Sequence, residues 1–520
     1  MKHWTLAGVL APTLALLAGC ATPQQALIPL PYAFASASDG SGRPVDPAAM
    51  ARWWRSFDDP LLHEFTQMGL SRNLQVQMAL ADIRAARAQL RQATAGLLPV
   101  FDTPLQASRA WQENPLEGSP IGEAVGASGS TIRIDTWQAA IEGQWLPDLF
   151  GANRARRRAA GAQLGAAEAE AVAGRIAIAA NVAQAYLQIR GLLAQQQALE
   201  ELIAVARESE RATRGFFELG AVTQLDVVAA SAERASAEAQ RGELEAGLVE
   251  ASFALDTLLD APPGTVRRRM GSGTIIPLTT TRIPTGQPIE LLQRRPDVIA
   301  ATAGLDAAEL QALAARRDLF PQLGLSGSAS RMGVSLADIS STSNMANIAA
   351  QLTFPWLSPA NWSQVPLADA QVTRGFVSLR RAIATALEEV EVANGQIEAR
   401  RRQQGAAGKA VSLQRERLAL ARRAYETGFS NITEVLEAQQ GLLQARQSVI
   451  EARLALANAQ VGLFTALGGG WSAVPVAPQN TVPAPAGLAA GTQAVRAELA
   501  QNPIPDRTQA NAPAPVSYTH

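Results

Sequence analysis

The residues able to do chemistry are few in this chain of 520 residues, and their spacing argues against catalysis. Histidine occurs only at His3, His63 and His520, and Cys20 is the single thiol, so these ligands cannot assemble a zinc or redox cluster. No nucleophile–base pair and no phosphate-binding glycine loop stands out, so the chain reads as a non-enzyme with no cofactor and no metal. Two acids do stand at a telling spacing. Asp226 follows Thr223 at the third position and Glu434 follows Asn431 likewise, the arrangement of a capping box at a helix start. Gly220 and Gly428 precede those caps and suit the left-handed conformation that ends a helix.

Both turns belong to a repeat. Residues 205–260 and 413–468 resemble one another, with Phe217 to Val227 aligned on Tyr425 to Val435. Gly220, Ala221, Val222 and Thr223 in one copy, and Gly428, Phe429, Ser430 and Asn431 in the other, form the tip of a long helical hairpin. The helices feeding these tips carry apolar seams. Val435, Leu442, Val449, Leu456 and Leu463 recur every seven residues, as do Leu436, Leu443, Ile450, Ala457 and Phe464, a spacing that imposes left-handed supercoiling on neighbours. Ile383, Leu387, Val390 and Ile397, interrupted by Asn394, and Val182, Tyr186, Ile189 and Leu193 supply similar seams. The proline-free run from Asn153 to about Arg214 would span about 90 Å as one helix.

Lys2, an apolar stretch from Leu6 to Leu17 and then Leu17-Ala18-Gly19-Cys20 resemble a bacterial lipoprotein signal, in which Cys20 becomes the lipidated first residue. The apolar run is too short to span a bilayer and contains Pro12. Ala21 stands where an Asp would signal inner-membrane retention, so the resemblance implies an outer-membrane address with Cys20 held in outer-membrane lipid. Several acyl chains hold firmly where one does not.

Four segments alternate with the period of a strand. Trp137, Ala139, Ile141, Gly143 and Trp145 oppose Gln138, Glu142 and Gln144; Ala346, Ile348, Ala350, Leu352, Phe354 and Trp356 oppose Asn347, Gln351 and Thr353. Weaker partners run from Phe101 to Trp111, where Pro104 disturbs the ladder, and from Gln322 to Met332. Trp137 and Trp145 lie about 26 Å apart along a strand, or about 20 Å in height once tilted. That suits an outer-membrane band with Trp111, Trp137, Trp145 and Trp356 as rim aromatics. A soluble sheet with one buried face shows the same alternation. The helix from Asn73 to Gly96 and its counterpart from Asp297 to Asp318 each end at a proline that leads into strands.

Four strands cannot close a barrel in lipid, because open edges leave backbone groups unpaired. Two copies would give eight strands with a filled interior, and three would give twelve with room for a passage. Charge is nearly balanced at 45 basic and 46 acidic residues, so nucleic acid is disfavoured as a partner. Arg154, Arg156, Arg157 and Arg158 follow a strand and suit either lipid headgroups or a solvated helix face.

The lipobox, the Trp53-Trp54 and Asp59-Pro60 opening, the paired strands and the two hairpins tipped by Gly220 and Gly428 together resemble the lipoprotein branch of the outer-membrane efflux protein family. Trp145 to Gly151 (WLPDLFG) and Arg294-Arg295-Pro296-Asp297 also look like family signatures. The resemblance implies a mostly α fold with a small β part, long hairpins forming a periplasmic helical barrel, and four strands per protomer in a shared twelve-stranded barrel. It further implies a homotrimer docking with a periplasmic adaptor and an inner-membrane pump, with adaptor contact at the two tips. Asp226 and Glu434 are the candidate gate acids, while Ser430 and Asn431 stand where the family often has an acid. A lipid-anchored adaptor or a coiled-coil scaffold without a pore is the alternative. The expected division is a signal at 1–19, an extended segment at 20–50, a first repeat at 51–260, a connector at 261–288, a second repeat at 289–470 and a disordered tail at 471–520.

Overall fold

The computed structural model describes residues 31–36, 45–113, 115, 117–124, 130–336 and 339–471. Cys20, the expected leader and the tail beyond Trp471 lie outside them. Helix α1 (Pro60–Arg72) begins at Asp59, whose carboxylate accepts from the Leu61 and Leu62 amides at 2.9 and 3.1 Å, with Pro60 preset for the first turn. Asn73 caps α2 (Leu74–Ala95), within a residue of the expected span.

The first long hairpin is α3 (Ala152–Glu218) and α4 (Gln224–Leu258). After α5 (Pro296–Arg317), the counterpart of α2, the second hairpin is α6 (Pro359–Glu426) and α7 (Ile432–Ala466). At 67 and 68 residues α3 and α6 are each about 100 Å long. Helix α5 is long and apolar enough to cross a membrane by composition, yet it packs against both long rods. At Gly375 the absence of a Cβ lets Leu305 of α5 approach α6.

Such rods bury apolar surface only against each other, and they do so in a series of separate clusters. The largest, at the hairpin roots, joins Trp53, Phe65, Tyr186, Leu255 and Phe464; Trp53 stacks on Phe464 at 5.3 Å. Farther along, Leu199, Ile203 and Ala237 meet Leu443, and near the tips Ile432, Val435 and Leu436 form a third. The sevenfold seam of α7 thus runs through all three. Polar links tie the roots together: Tyr186 donates to Asp59 at 2.6 Å, and Arg190 donates to the Tyr186 hydroxyl at 2.7 Å and to the Gly273 carbonyl at 2.6 Å. Burial and the Asp59 carboxylate push the Tyr186 phenol well above its ordinary range.

The two signature segments are structural fasteners. Asp148 caps α3 by accepting from the Asn153 and Arg154 amides at 3.1 and 2.9 Å. Arg295 is buried, bonds Asp297 and Glu389, and donates at 2.9 Å to the Ala466 carbonyl in the last turn of α7. A cation there offsets the negative end of the helix dipole.

The sheet is antiparallel. The first expected strand is two: β1 (Val100–Asp102) and β2 (Leu105–Glu113) lie in one row, broken where Pro104 has no amide to give, although the Pro104 carbonyl still accepts from Ala140 at 3.0 Å. Both pair with β3 (Thr131–Trp145), which pairs with β4 (Gln322–Leu336), which pairs with β5 (Ile339–Thr353). Strands β3, β4 and β5 each reach 15 residues, longer than their alternating cores. One expectation is corrected at the end of β5. The strand stops at Thr353, and Trp356 sits in a short 3-10 turn (Pro355–Leu357) because Pro355 cannot continue the ladder.

Tyr186→Phe removes one hydroxyl that serves both Asp59 and Arg190. We expect a loss of about 1–3 kcal/mol, read as an earlier denaturant midpoint with the helical circular dichroism of the folded state unchanged.

Candidate functional site

The hairpin tips and the sheet faces are the two surfaces a tunnel would use. At the first tip Gly220 takes φ 71°, the Gly220 amide donates to the Phe217 carbonyl and the Ala221 amide to that of Phe216, both at 2.9 Å. At the second, Gly428 takes φ 78°, its amide reaches Tyr425 at 3.0 Å and that of Phe429 reaches Ala424 at 2.8 Å. This paired closure uses the last helical carbonyls and reverses the chain.

The next helices start differently. Thr223 and Asp226 close a full capping box, with the Asp226 carboxylate accepting from the Thr223 amide and hydroxyl, each at 2.7 Å. Asn431 accepts from the Glu434 amide at 3.3 Å, but Glu434 does not complete the reciprocal bond. The expected second capping box is therefore half made, and the Glu434 carboxylate stays exposed. The Thr223 hydroxyl and amide hold the Asp226 carboxyl below its ordinary range.

The tips stand side by side. Phe216 meets Tyr425 edge-on at 6.0 Å, and Ala229 of α4 packs on the Ile432 cluster of α7. Their outer surface is oily: Leu219, Leu225 and Phe429 are 81%, 76% and 90% exposed. Sequence reasoning named Phe429 but missed Leu219 and Leu225, whose exposure is set by tertiary packing.

In the sheet, register decides which residues share a face. Trp137, Ile141 and Trp145 of β3 lie with Phe101, Leu105, Leu325, Ala329, Ala346 and Ile348 on one side. Trp137 covers Gly333 so closely that a Cβ there would clash with its indole, and the Trp145 indole donates to the Leu97 carbonyl at 3.2 Å. Trp111 lies two rows beyond Trp137, opposite Arg133.

The other face is wet. Ser108 bonds Thr136 at 2.6 Å, and Ser328 donates to Asn347 at 2.6 Å. Among the described strand residues, its charged groups are Asp102 and Glu142, placed directly opposite each other. Like charges in that position cost stability, so the pair is an unforced charge on the water side, and only the β1–β3 register shows it. Of the arginines after the strand, Arg154 pairs with Asp148 at 3.3 Å and Arg156 pairs with Asp318, which places both at the base of the helices.

Two consequences are measurable. Asp226→Asn should make the first-turn amides of α4 exchange about fivefold faster, for about 1 kcal/mol of lost cap. Because its pKa is depressed, the wild-type contribution is full above the ordinary carboxylate range and fades only as acid passes through the lowered value. Replacing both Asp102 and Glu142 with amides should reduce cation preference in reversal-potential measurements on the reconstituted protein.

The sequence model of the outer membrane efflux protein family matches residues 66–261 and 288–469. Nodulation protein T of Rhizobium leguminosarum bv. trifolii is 27% identical over 435 residues, 82% of this chain and 89% of that protein. Outer membrane protein OprJ of Pseudomonas aeruginosa is 30% identical over 436 residues, 80% of this chain and 86% of its own length. The solved structure of the outer-membrane channel OprN superposes with a TM-score of 0.71 at 25% identity, covering 85% of this chain and 97% of that one. The two matched blocks carry the two hairpins and the strand pairs, and the chain belongs to the outer membrane efflux protein family.

Proposed function

We infer that this chain is the outer-membrane channel of a tripartite efflux system. Three copies share a twelve-stranded barrel in the outer membrane and a helical barrel in the periplasm, and they export small molecules together with a periplasmic adaptor and an inner-membrane pump. The observation that carries this reading is a sheet with one oily and one wet face, joined in one chain to two hairpins. An adaptor or a scaffold needs hairpins but no such sheet. The similar protein OprN is an outer-membrane channel, and we assign no catalytic step to this chain.

Within that channel the two tips, Gly220 to Thr223 and Gly428 to Asn431, are the adaptor contact, with the exposed Leu219, Leu225 and Phe429 as its apolar anchors. Asp226 serves the cap rather than a gate, since the amide and hydroxyl that donate to its Oδ2, and the lowered pKa they cause, belong to that role. Glu434, free of the reciprocal cap bond, is the better gate acid of the two. Cys20 carries the lipid after removal of residues 1–19. Residues 20–50 form an N-terminal segment, 51–260 and 289–470 the two repeats, 261–288 the connector and 471–520 a C-terminal tail. Trp111, Trp137, Trp145 and Trp356 mark the membrane rims.

Single-channel recording in a planar bilayer, with native mass measurement of the same sample, tests the function: trimers with discrete conductance support it, and non-conducting monomers refute it. Gly428→Val forces a branched side chain into φ 78°. We expect it to lower adaptor affinity about tenfold in a pull-down titration while the channel still conducts. Cys20→Ser should abolish acyl-lipid labelling of the mature protein.

A further inference from the structure

The far end of the sheet carries charge on the oily side. The helices leave from the Val100, Trp145, Gln322 and Thr353 ends, so the opposite end points away from the periplasm. There Arg109 of β2 stands directly opposite Asp135 of β3, and Trp111 stands opposite Arg133. By alternation all four share the face of Trp137, Ile141 and Trp145. On the other face at the same level stand Ser108 with Thr136, Ala110 with Ile134, and Gln112 with Ile132, none of them charged.

Asp135 organises the pair. Its carboxylate accepts from Arg109 through Nε at 2.6 Å and Nη2 at 3.2 Å, and Arg133 lies beside it as an ion pair, with Nε 3.2 Å away. The Arg109 and Arg133 side chains are still 56% and 57% exposed. Each guanidinium has five N–H donors in a fixed fork, so Nη1 of Arg109 and both terminal nitrogens of Arg133 are left over by these bonds. One carboxylate thus splays two forks without consuming them. Arg331 of β4 lies on the same face, opposite Ala139, and its long stem allows the head to rise toward the polar zone. Glu113 ends this face two rows beyond Arg109. Next to Asp135 the two forks leave one positive charge in excess, Glu113 lies at the far end of the face, and Arg331 adds a further positive charge one row inside Trp137.

We propose that Arg109 and Arg133, splayed by Asp135, bind the phosphate groups of anionic glycolipid headgroups in the outer leaflet. The assignment rests on the channel reading, which turns this face toward lipid. Two features select a membrane lipid over a free anion. The forks continue an apolar belt that would hold acyl chains, and Trp111 and Trp137 flank them with rings suited to an interface. Planar guanidinium forks match phosphate oxygens in pairs, where a lysine would offer only a point charge.

The test uses the full-length trimer in detergent, with bisphosphorylated lipid A, its dephosphorylated form and inorganic phosphate as probes, read by native mass spectrometry. Wild type should retain the bisphosphorylated lipid and not the dephosphorylated one. The double variant Arg109→Gln, Arg133→Gln should retain it at least about tenfold less, with trimer mass and conductance unchanged. Arg109→Lys with Arg133→Lys should fall between. Equal retention by wild type and the double variant overturns the proposal, as does equal retention of the two lipids. Displacement of lipid A by millimolar inorganic phosphate contradicts the lipid assignment in favour of a soluble anion. A trimer that binds the lipid but does not conduct would instead count against the channel reading.

Discussion

The open edges of the sheet are the constraint from which the rest follows. Strand β5 pairs only with β4 among the described strands, and the β1–β2 row pairs only with β3, so both margins present backbone donors and acceptors without partners. In water such an edge invites aggregation; in hydrocarbon each unpaired group costs several kcal/mol, and closure is the one stable solution. A row of four cannot curl into a passable barrel, so closure is a property of the assembly. The protomer accordingly carries an oily face with no protein to cover it, and a wet face that gains meaning only when it surrounds water.

The helical part obeys the same logic at lower cost. Rods of about 100 Å bury too little in isolation, and their apolar clusters sit in series rather than in one globular centre. Tight packing is concentrated at the roots, where Trp53, Tyr186 and Phe464 meet, while the tips keep leucine and phenylalanine in water. Stability therefore falls off along the hairpins toward the tips, the end we propose as the adaptor contact. The fasteners at Asp148 and Arg295 hold the helix ends nearest the membrane and the root, which leaves the tips free to respond.

Much of this was legible in the residues. The sevenfold seam of α7 predicted its packing from Val435 to Phe464, and the two glycines predicted both reversals. Pro104 marked the break between β1 and β2. What escaped notice depends on pairing across distance. The stretch from Ile339 to Met345 is mostly serine, threonine and asparagine, too uniform for alternation to show, and its ladder with β4 makes it a strand. The Asp102–Glu142 pair joins residues forty apart in sequence, visible only once the register is known. Trp356 read as part of a strand because its parity fitted, and Pro355 overrode parity by removing a donor. Glu434 had the spacing of a capping acid, but asparagine at the cap drew only half of the box.

Amide hydrogen exchange resolved along the two sheet margins, on a sample whose mass is measured in parallel, tests the closed wall most directly. Edge sharing between copies predicts trimers in which the outward amides of β2 and β5 exchange as slowly as those of β3 and β4. A monomer of the same chain, folded and stable, with fast-exchanging margins, would contradict the account.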